Sequence, residues 1–263
     1  MTILAYLSLL FVGLTLAIVG GGGSILTVPI FVYLFDLPAE LATSYSLFIV
    51  GSSAAVGAYK NYKIGQVNFQ IGAIFAVPAF VGVFLVRKFL MPLIPESFSF
   101  ANLLIDKDQL IMASFAVIML LASVSMIKGR KEGDSSKTDE DKKLNFPVIV
   151  IEGLIVGGVT GFVGAGGGFL IIPALVILAR IPMKEAVGTS LMIITFKSLL
   201  GFTGDIGQLP IDWNFLLLSS AISIFGILIG SVFAKKIPGQ KLKKGFGYFV
   251  LVMGAFIIIQ QVI

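Results

Sequence analysis

Eight long apolar stretches, near residues 3–35, 41–59, 68–90, 108–127, 146–179, 186–204, 213–234 and 245–263, occupy almost the whole chain. A helix needs roughly 20 apolar residues to cross a hydrocarbon core about 30 Å thick, and most of these stretches reach that length. No water-exposed surface can be built around them. Of the 263 residues 57% are hydrophobic and 13% charged, with mean hydropathy +1.03, where a soluble domain is about a quarter charged. A soluble globular enzyme, a disordered chain and a nucleic-acid-binding module are excluded, and the lipid bilayer is the expected partner. The chain has no cysteine and no histidine, which removes disulfides, thiol redox chemistry, Cys/His zinc sites and Ser-His nucleophiles. Residues 2–35 carry no charge. A secretory signal needs a basic segment and an early small-residue cleavage site; neither is clear, so this stretch reads as part of the membrane domain.

The chain repeats itself. GGGSILTVPIFVYLFDLPAE from Gly21 answers AGGGFLIIPALVILARIPMKE from Ala165. Pro29 pairs with Pro173 and Pro38 with Pro182, both 144 residues apart, and the same offset relates Ser46-Leu47 to Ser190-Leu191 and Asn68-Phe69 to Asp212-Trp213. Gly65-Gln66 and Gly207-Gln208 follow at an offset of 142. The only water-soluble stretch, KGRKEGDSSKTDEDKK from Lys128 to Lys143, separates the copies. The expected organisation is a first repeat over 1–127, a charged linker over 128–145 and a second repeat over 146–263.

Charge placement orients the copies. If every apolar stretch crosses once, eight cations fall on one side and ten on the other. If 3–35 and 146–179 are instead hairpins, fifteen cations fall inside and three outside (Arg87, Lys88 and Lys107), as the positive-inside rule requires. The fold expected is therefore an all-α integral membrane protein of two inverted-topology repeats, each a glycine-broken helical hairpin plus three transmembrane helices. It would lie multi-pass in the cytoplasmic membrane, with the linker cytoplasmic and both termini extracytoplasmic. Inverted repeats are an architecture of secondary transporters. The limb Ser24–Phe35, 12 residues long, rises only about 18 Å as an α-helix, which suggests a re-entrant hairpin.

Two glycine clusters mark these hairpins, Gly20 to Gly23 and Gly164 to Gly168 with Ala165 inside the second. Glycine lets a chain turn tightly and expose backbone N–H groups, and bare backbone is tolerated at membrane depth only beside a cavity or packed protein. A helix beginning after such a turn offers its positive end to an anion, and Pro29 and Pro173 can extend the unwound stretch. Close helix packing through small residues is the competing reading, as at Gly153, Gly157 and Gly161. No GxGxxG or P-loop lysine is present. Hydroxyls follow each hairpin: Thr43, Ser44, Ser46, Ser52 and Ser53, then Thr189, Ser190, Thr195 and Ser198. They either reach a ligand or bond back to helix carbonyls. Lys197 is the lone cation inside a span, placed to neutralise an anion, pair with Asp205 or snorkel to an interface. Glu152 is the candidate proton-coupling carboxylate or an interfacial charge. The candidate substrate-binding set is Gly22, Gly23, Ser24, Ser46, Gly167, Gly168, Thr189, Ser190 and Lys197.

GAGGGFLIIP at Gly164–Pro173, AVGTSL at Ala186–Leu191, and Gly207-Gln208 ahead of Asp212-Trp213 resemble the TauE/SafE family. The first half departs from this pattern, with GGGGSILTVP at Gly20–Pro29 and ATSYSL at Ala42–Leu47. The resemblance implies a membrane transporter of a small anion, sulfite or another sulfur oxyanion or organosulfonate, with no cofactor and either a proton or sodium as coupling ion. An anion channel of the same architecture is the alternative. An intramembrane enzyme is disfavoured, because Asp205 has no second in-span aspartate to complete a dyad.

Overall fold

The computed structural model describes residues 2–100, 103–128, 146–164, 166–177, 181–234 and 239–262. The linker and most of the cation-rich segment at 235–244 therefore lie outside the described residues. Eleven helices are described: α1 (Thr2–Val19), α2 (Thr27–Leu34), α3 (Ala39–Lys63), α4 (Phe69–Leu85), α5 (Met91–Leu93), α6 (Lys107–Lys128), α7 (Phe146–Val163), α8 (Gly168–Ile177), α9 (Met183–Phe202), α10 (Trp213–Ala234) and α11 (Gly239–Val262). A 3₁₀ segment, Gly20–Leu26, joins α1 to α2, and one π-helical turn, Val86–Leu90, joins α4 to α5. Among the described residues four helical segments, Ala39–Lys63, Phe69–Leu93, Lys184–Phe202 and Trp213–Phe233, are long and apolar enough to cross a membrane.

The apolar stretches become helices as expected, with one addition. An antiparallel hairpin of β1 (Ser97–Phe100) and β2 (Leu103–Asp106) leads into α6. It is pinned where Lys107 Nζ meets Glu40 Oε2 at 2.7 Å and Asp108 Oδ1 accepts the Glu40 N–H. The expected unwinding through the prolines is absent. Pro29 is the third residue of α2, where the missing N–H is one of the donors a helix start leaves unpaired. Position 173 lies inside α8. The first return limb is also longer than an α-only estimate, because 3₁₀ residues rise about 2.0 Å each.

Large apolar side chains cover the outside as well as the core. Leu7 and Phe11 on α1 and Val77, Val81 and Leu85 on α4 recur every four residues and are exposed; such stripes face lipid. Polar groups are sequestered instead: Ser24, Thr43, Ser46, Thr189, Ser190, Lys197 and Arg87 are all buried.

Contacts between the halves come in exchanged pairs. The Asn68 N–H donates to Thr189 Oγ1 (2.9 Å), and the Asp212 N–H, 144 residues on, donates to Tyr45 Oη (2.7 Å), where Tyr45 is the counterpart of Thr189. Asn68 Oδ1 accepts the Ile71 N–H as Asp212 Oδ1 accepts the Phe215 N–H, each capping the following helix. Gly13 of α1 sits against Gly226 of α10, while Gly157 of α7 is packed on Ala79 and Gly82 on Gly157 and Gly158. The stripe Gly153, Gly157, Gly161 is thus a close-packing surface for α4, the competing reading of such spacing. Asn68 additionally donates to Glu185 Oε1, so Asn68→Ala removes a cap and a bond between halves. It should lower stability by about 1–2 kcal/mol, measured by thermal unfolding in detergent.

Candidate functional site

The two glycine segments meet at the centre of the molecule. Gly20 adopts φ +69° and Gly164 φ +72°, positive values at positions 144 apart that only glycine takes readily. Gly166 (φ +61°) and Gly167 (φ +70°) continue the second turn. Gly21 and Gly168 touch backbone to backbone, so a methyl on either would land on the other's main chain. Around this crossing, Gly164 abuts Thr43 of α3, Gly166 abuts Val50 and Ser24, and Gly20 faces Val187 and Ser190 of α9.

The hydroxyls divide sharply. Thr43, Ser52, Ser190 and Thr195 bond back to carbonyls three or four residues earlier, the commoner fate of such residues in helices. Ser53 and Ser223 bond to each other. Ser46 and Ser198 are buried with no hydrogen-bond partner among the described residues, and Ser44 is buried beside Asp205. Ser46 and Ser190 correspond in sequence but differ here: Ser46 is unengaged, whereas Ser190 donates to Val187 O at 2.8 Å. Ser24 donates to Gly21 O at 2.6 Å inside the 3₁₀ segment, which also contains Gly22. Gly23 packs on Thr15 and Leu16 of α1. Thr189 is occupied by the Asn68 N–H.

Lys197 is fully buried, and its Nζ donates to Thr160 Oγ1 at 2.7 Å. It stands at the second glycine turn, 3.1 Å from where a Gly167 side chain would begin. Pairing with Asp205 is overturned, because that carboxylate faces Arg87 instead (Nη1 to Oδ2 3.4 Å). Snorkelling is overturned too, since the ammonium ends on a buried hydroxyl. Among the described residues no carboxylate forms an ion pair with Lys197. Thr160, the residue that orients it, was hidden in the α7 glycine stripe. Arg87, which the charge count placed in an outer loop, is 1% exposed. Burial pushes the Asp205 carboxyl above the usual carboxylate range, and the neighbouring Arg87 acts against that rise. Glu152 is half-buried on α7. No group of three or more Asp or Glu able to hold a metal occurs among the described residues.

A family model described as Sulfite exporter TauE/SafE matches residues 5–257. The chain belongs to this family. Relatives in distant organisms align along nearly their full length. One named probable membrane transporter protein in Xylella fastidiosa (strain 9a5c) is 26% identical over 250 residues, covering 94% of this chain and 91% of the relative. Its namesake in Haemophilus influenzae is 28% identical over 268 residues, with 92% of each covered. A third, in Methanocaldococcus jannaschii, is 26% identical over 268 residues, with 94% of this chain and 92% of the relative covered. No solved structure matches the chain.

Proposed function

We propose that this TauE/SafE protein is a secondary transporter of a small anion, a sulfur oxyanion such as sulfite or an organosulfonate, working by alternating access about the crossed glycine turns. The observation that carries the reading is Lys197: an amine at membrane depth, beside a turn of positive-φ glycines, whose hydrogen-bond partner is a neutral hydroxyl. Buried cations in membrane proteins usually face a partner or a cavity, and a transported anion supplies the missing charge. Backbone N–H groups at Gly167 and Gly168 and around Gly22, Gly23 and Ser24 are the further donors, with the unengaged Ser46 hydroxyl, Ser190 and Thr189 flanking them. A tetrahedral or pyramidal oxyanion suits converging N–H and O–H donors at a helix start. The relatives' names, all of them probable membrane transporter proteins, support transport, and the family's description supports a sulfur oxyanion.

Inverted repeats are supported by the exchanged contacts, since a pseudo-two-fold axis turns each bond of one half into its counterpart in the other. We place the chain in the cytoplasmic membrane, linker inside and termini outside, on the charge asymmetry. Single cysteines at Lys63 and Asp212, introduced into this cysteine-free chain, test the topology. An impermeant thiol reagent should label the Asp212→Cys variant from outside and Lys63→Cys only after permeabilisation; equal labelling of both from outside overturns the arrangement.

Proteoliposome flux tests the function. Sulfite or an organosulfonate should accumulate, and unlabelled anion on the far side should accelerate uptake; imposed proton or sodium gradients then identify the coupling ion. No flux of any sulfur oxyanion or sulfonate across a broad panel overturns the substrate class. Flux without such acceleration favours the channel.

A further inference from the structure

Within the four membrane-length segments, two described cationic side chains are buried, Lys197 and Arg87. They lie along one line. Lys197, Gly201 and Asp205 follow at four-residue intervals along α9 and the turn after it. Beside them run Val83 of α4, packed on Gly201, and Arg87, packed on Gly204. Eight residues of helical rise set Asp205, with Arg87 against it, about 12 Å from Lys197 along the helix axis.

Arg87 is poorly matched to a purely structural role. Its Nη1 is 3.4 Å from Asp205 Oδ2, yet among the described residues Nε, Nη1 and Nη2 have no hydrogen-bond partner, nor does Asp205 Oδ2. A guanidinium presents five N–H donors in a rigid fork suited to bidentate capture of an oxyanion, and here the fork faces Asp205 through one long ion-pair contact. The Ser44 side chain is a hydrogen-bonding neighbour of the same carboxylate. The π-helical turn Val86–Leu90 that carries Arg87 belongs to a class of helix irregularity frequent at functional sites.

We propose that Arg87 is a second anion subsite, at the extracytoplasmic end of the transport path, where the incoming or departing oxyanion or sulfonate displaces the Asp205 carboxylate from the guanidinium. The identity of the anion and the side of the membrane rest on the transport reading above. Asp205 is the resident occupant that keeps the arginine paired when no anion is present, and Ser44 contributes a hydroxyl donor. From this subsite the anion stands one helical segment from Lys197. A purely structural ion pair makes the opposite forecast for variants: removing either partner strands a buried charge, so both single substitutions do the same harm and the doubly neutral variant recovers.

Ser44→Cys reports on the subsite without a known substrate. Right-side-out vesicles are treated with an anionic sulfonatoethyl methanethiosulfonate or its cationic trimethylammonium analogue. Adding Asp205→Asn should speed the anionic reagent relative to the cationic one by about tenfold, as an uncompensated buried charge concentrates counter-ions. Adding Arg87→Gln as well should erase the preference. For external sulfite, Asp205→Asn should tighten the apparent affinity, Arg87→Gln should weaken it about tenfold, and the double variant should follow Arg87→Gln. Equal reactivity of the two reagents in the Asp205→Asn background, no modification of the introduced thiol in any variant, or recovery in the double variant overturns the subsite. Loss of flux in Lys197→Gln without charge preference at the introduced thiol discards the subsite and keeps the transporter. Charge preference without flux of any sulfur anion discards that substrate class and keeps the subsite.

Discussion

Lys197→Gln should lose sulfite affinity by about 30- to 150-fold, the worth of a charge-assisted hydrogen bond at about 2–3 kcal/mol, while the folded protein keeps or gains stability. The opposite signs carry the argument. In the unliganded protein the amine is buried against Thr160 Oγ1 with no carboxylate ion pair among the described residues. Holding a charge there costs several kcal/mol of desolvation. Glutamine keeps a donor for Thr160 and removes that penalty, so the melting temperature should hold or rise. With anion present the parent recovers the penalty and the variant cannot. Equilibrium sulfite binding and thermal unfolding, with and without anion, measure both halves. Unchanged affinity removes Lys197 from the site, and a falling melting temperature at unchanged affinity makes it a structural group.

Gly168→Ala should be severely damaging, destabilising by about 3 kcal/mol or more and abolishing flux. The added carbon would enter the main chain of Gly21, and the reverse holds for Gly21→Ala, which also strikes Ile194. Neither clash falls on the end of a flexible side chain at the crossing itself, so the two turns must separate. Gly65→Ala is the control. That residue has φ +70° but nothing within 4 Å of the added carbon, so only backbone strain of about 1 kcal/mol applies. Comparing the three variants by denaturation and by flux separates crossing geometry from glycine strain; similar modest losses in all three would dissolve the crossing as a special place.

Much of this was legible in the linear sequence, and the exceptions share a cause. Helix positions follow from apolar runs, and α10 begins at Trp213 and ends at Ala234 as the run does, because lipid demands uninterrupted apolar length. Repeat spacing matched Asn68 with Asp212, and the structure adds that each bonds to the opposite half. Which hydroxyl bonds back and which stays unengaged was not legible: Ser46 and Ser190 occupy matching positions, and only local helix geometry separates them. The burial of Arg87 was not legible because a charge near the end of an apolar run reads as interfacial, whereas that burial depends on a turn 118 residues away, that of Asp205. Thr160 looked like one more small residue in a glycine stripe, since its role exists only through Lys197.

The exchanged contacts also bear on energy. In a carrier whose halves were identical, inward-open and outward-open forms would be mirror partners under the two-fold exchange and equally populated at rest. Each matched pair, such as Asn68–Thr189 with Asp212–Tyr45, cancels from that balance. What does not cancel sets the resting population. Lys60 Nζ meets Ser231 Oγ at 2.6 Å at one end; at the other end the counterpart of Ser231 is Arg87, in a buried ion pair with Asp205, one residue beyond Gly204, the counterpart of Lys60. A lysine on a serine and an arginine on an aspartate are unequal latches, so under the proposed alternating access these two ends would contribute to a bias between the open forms.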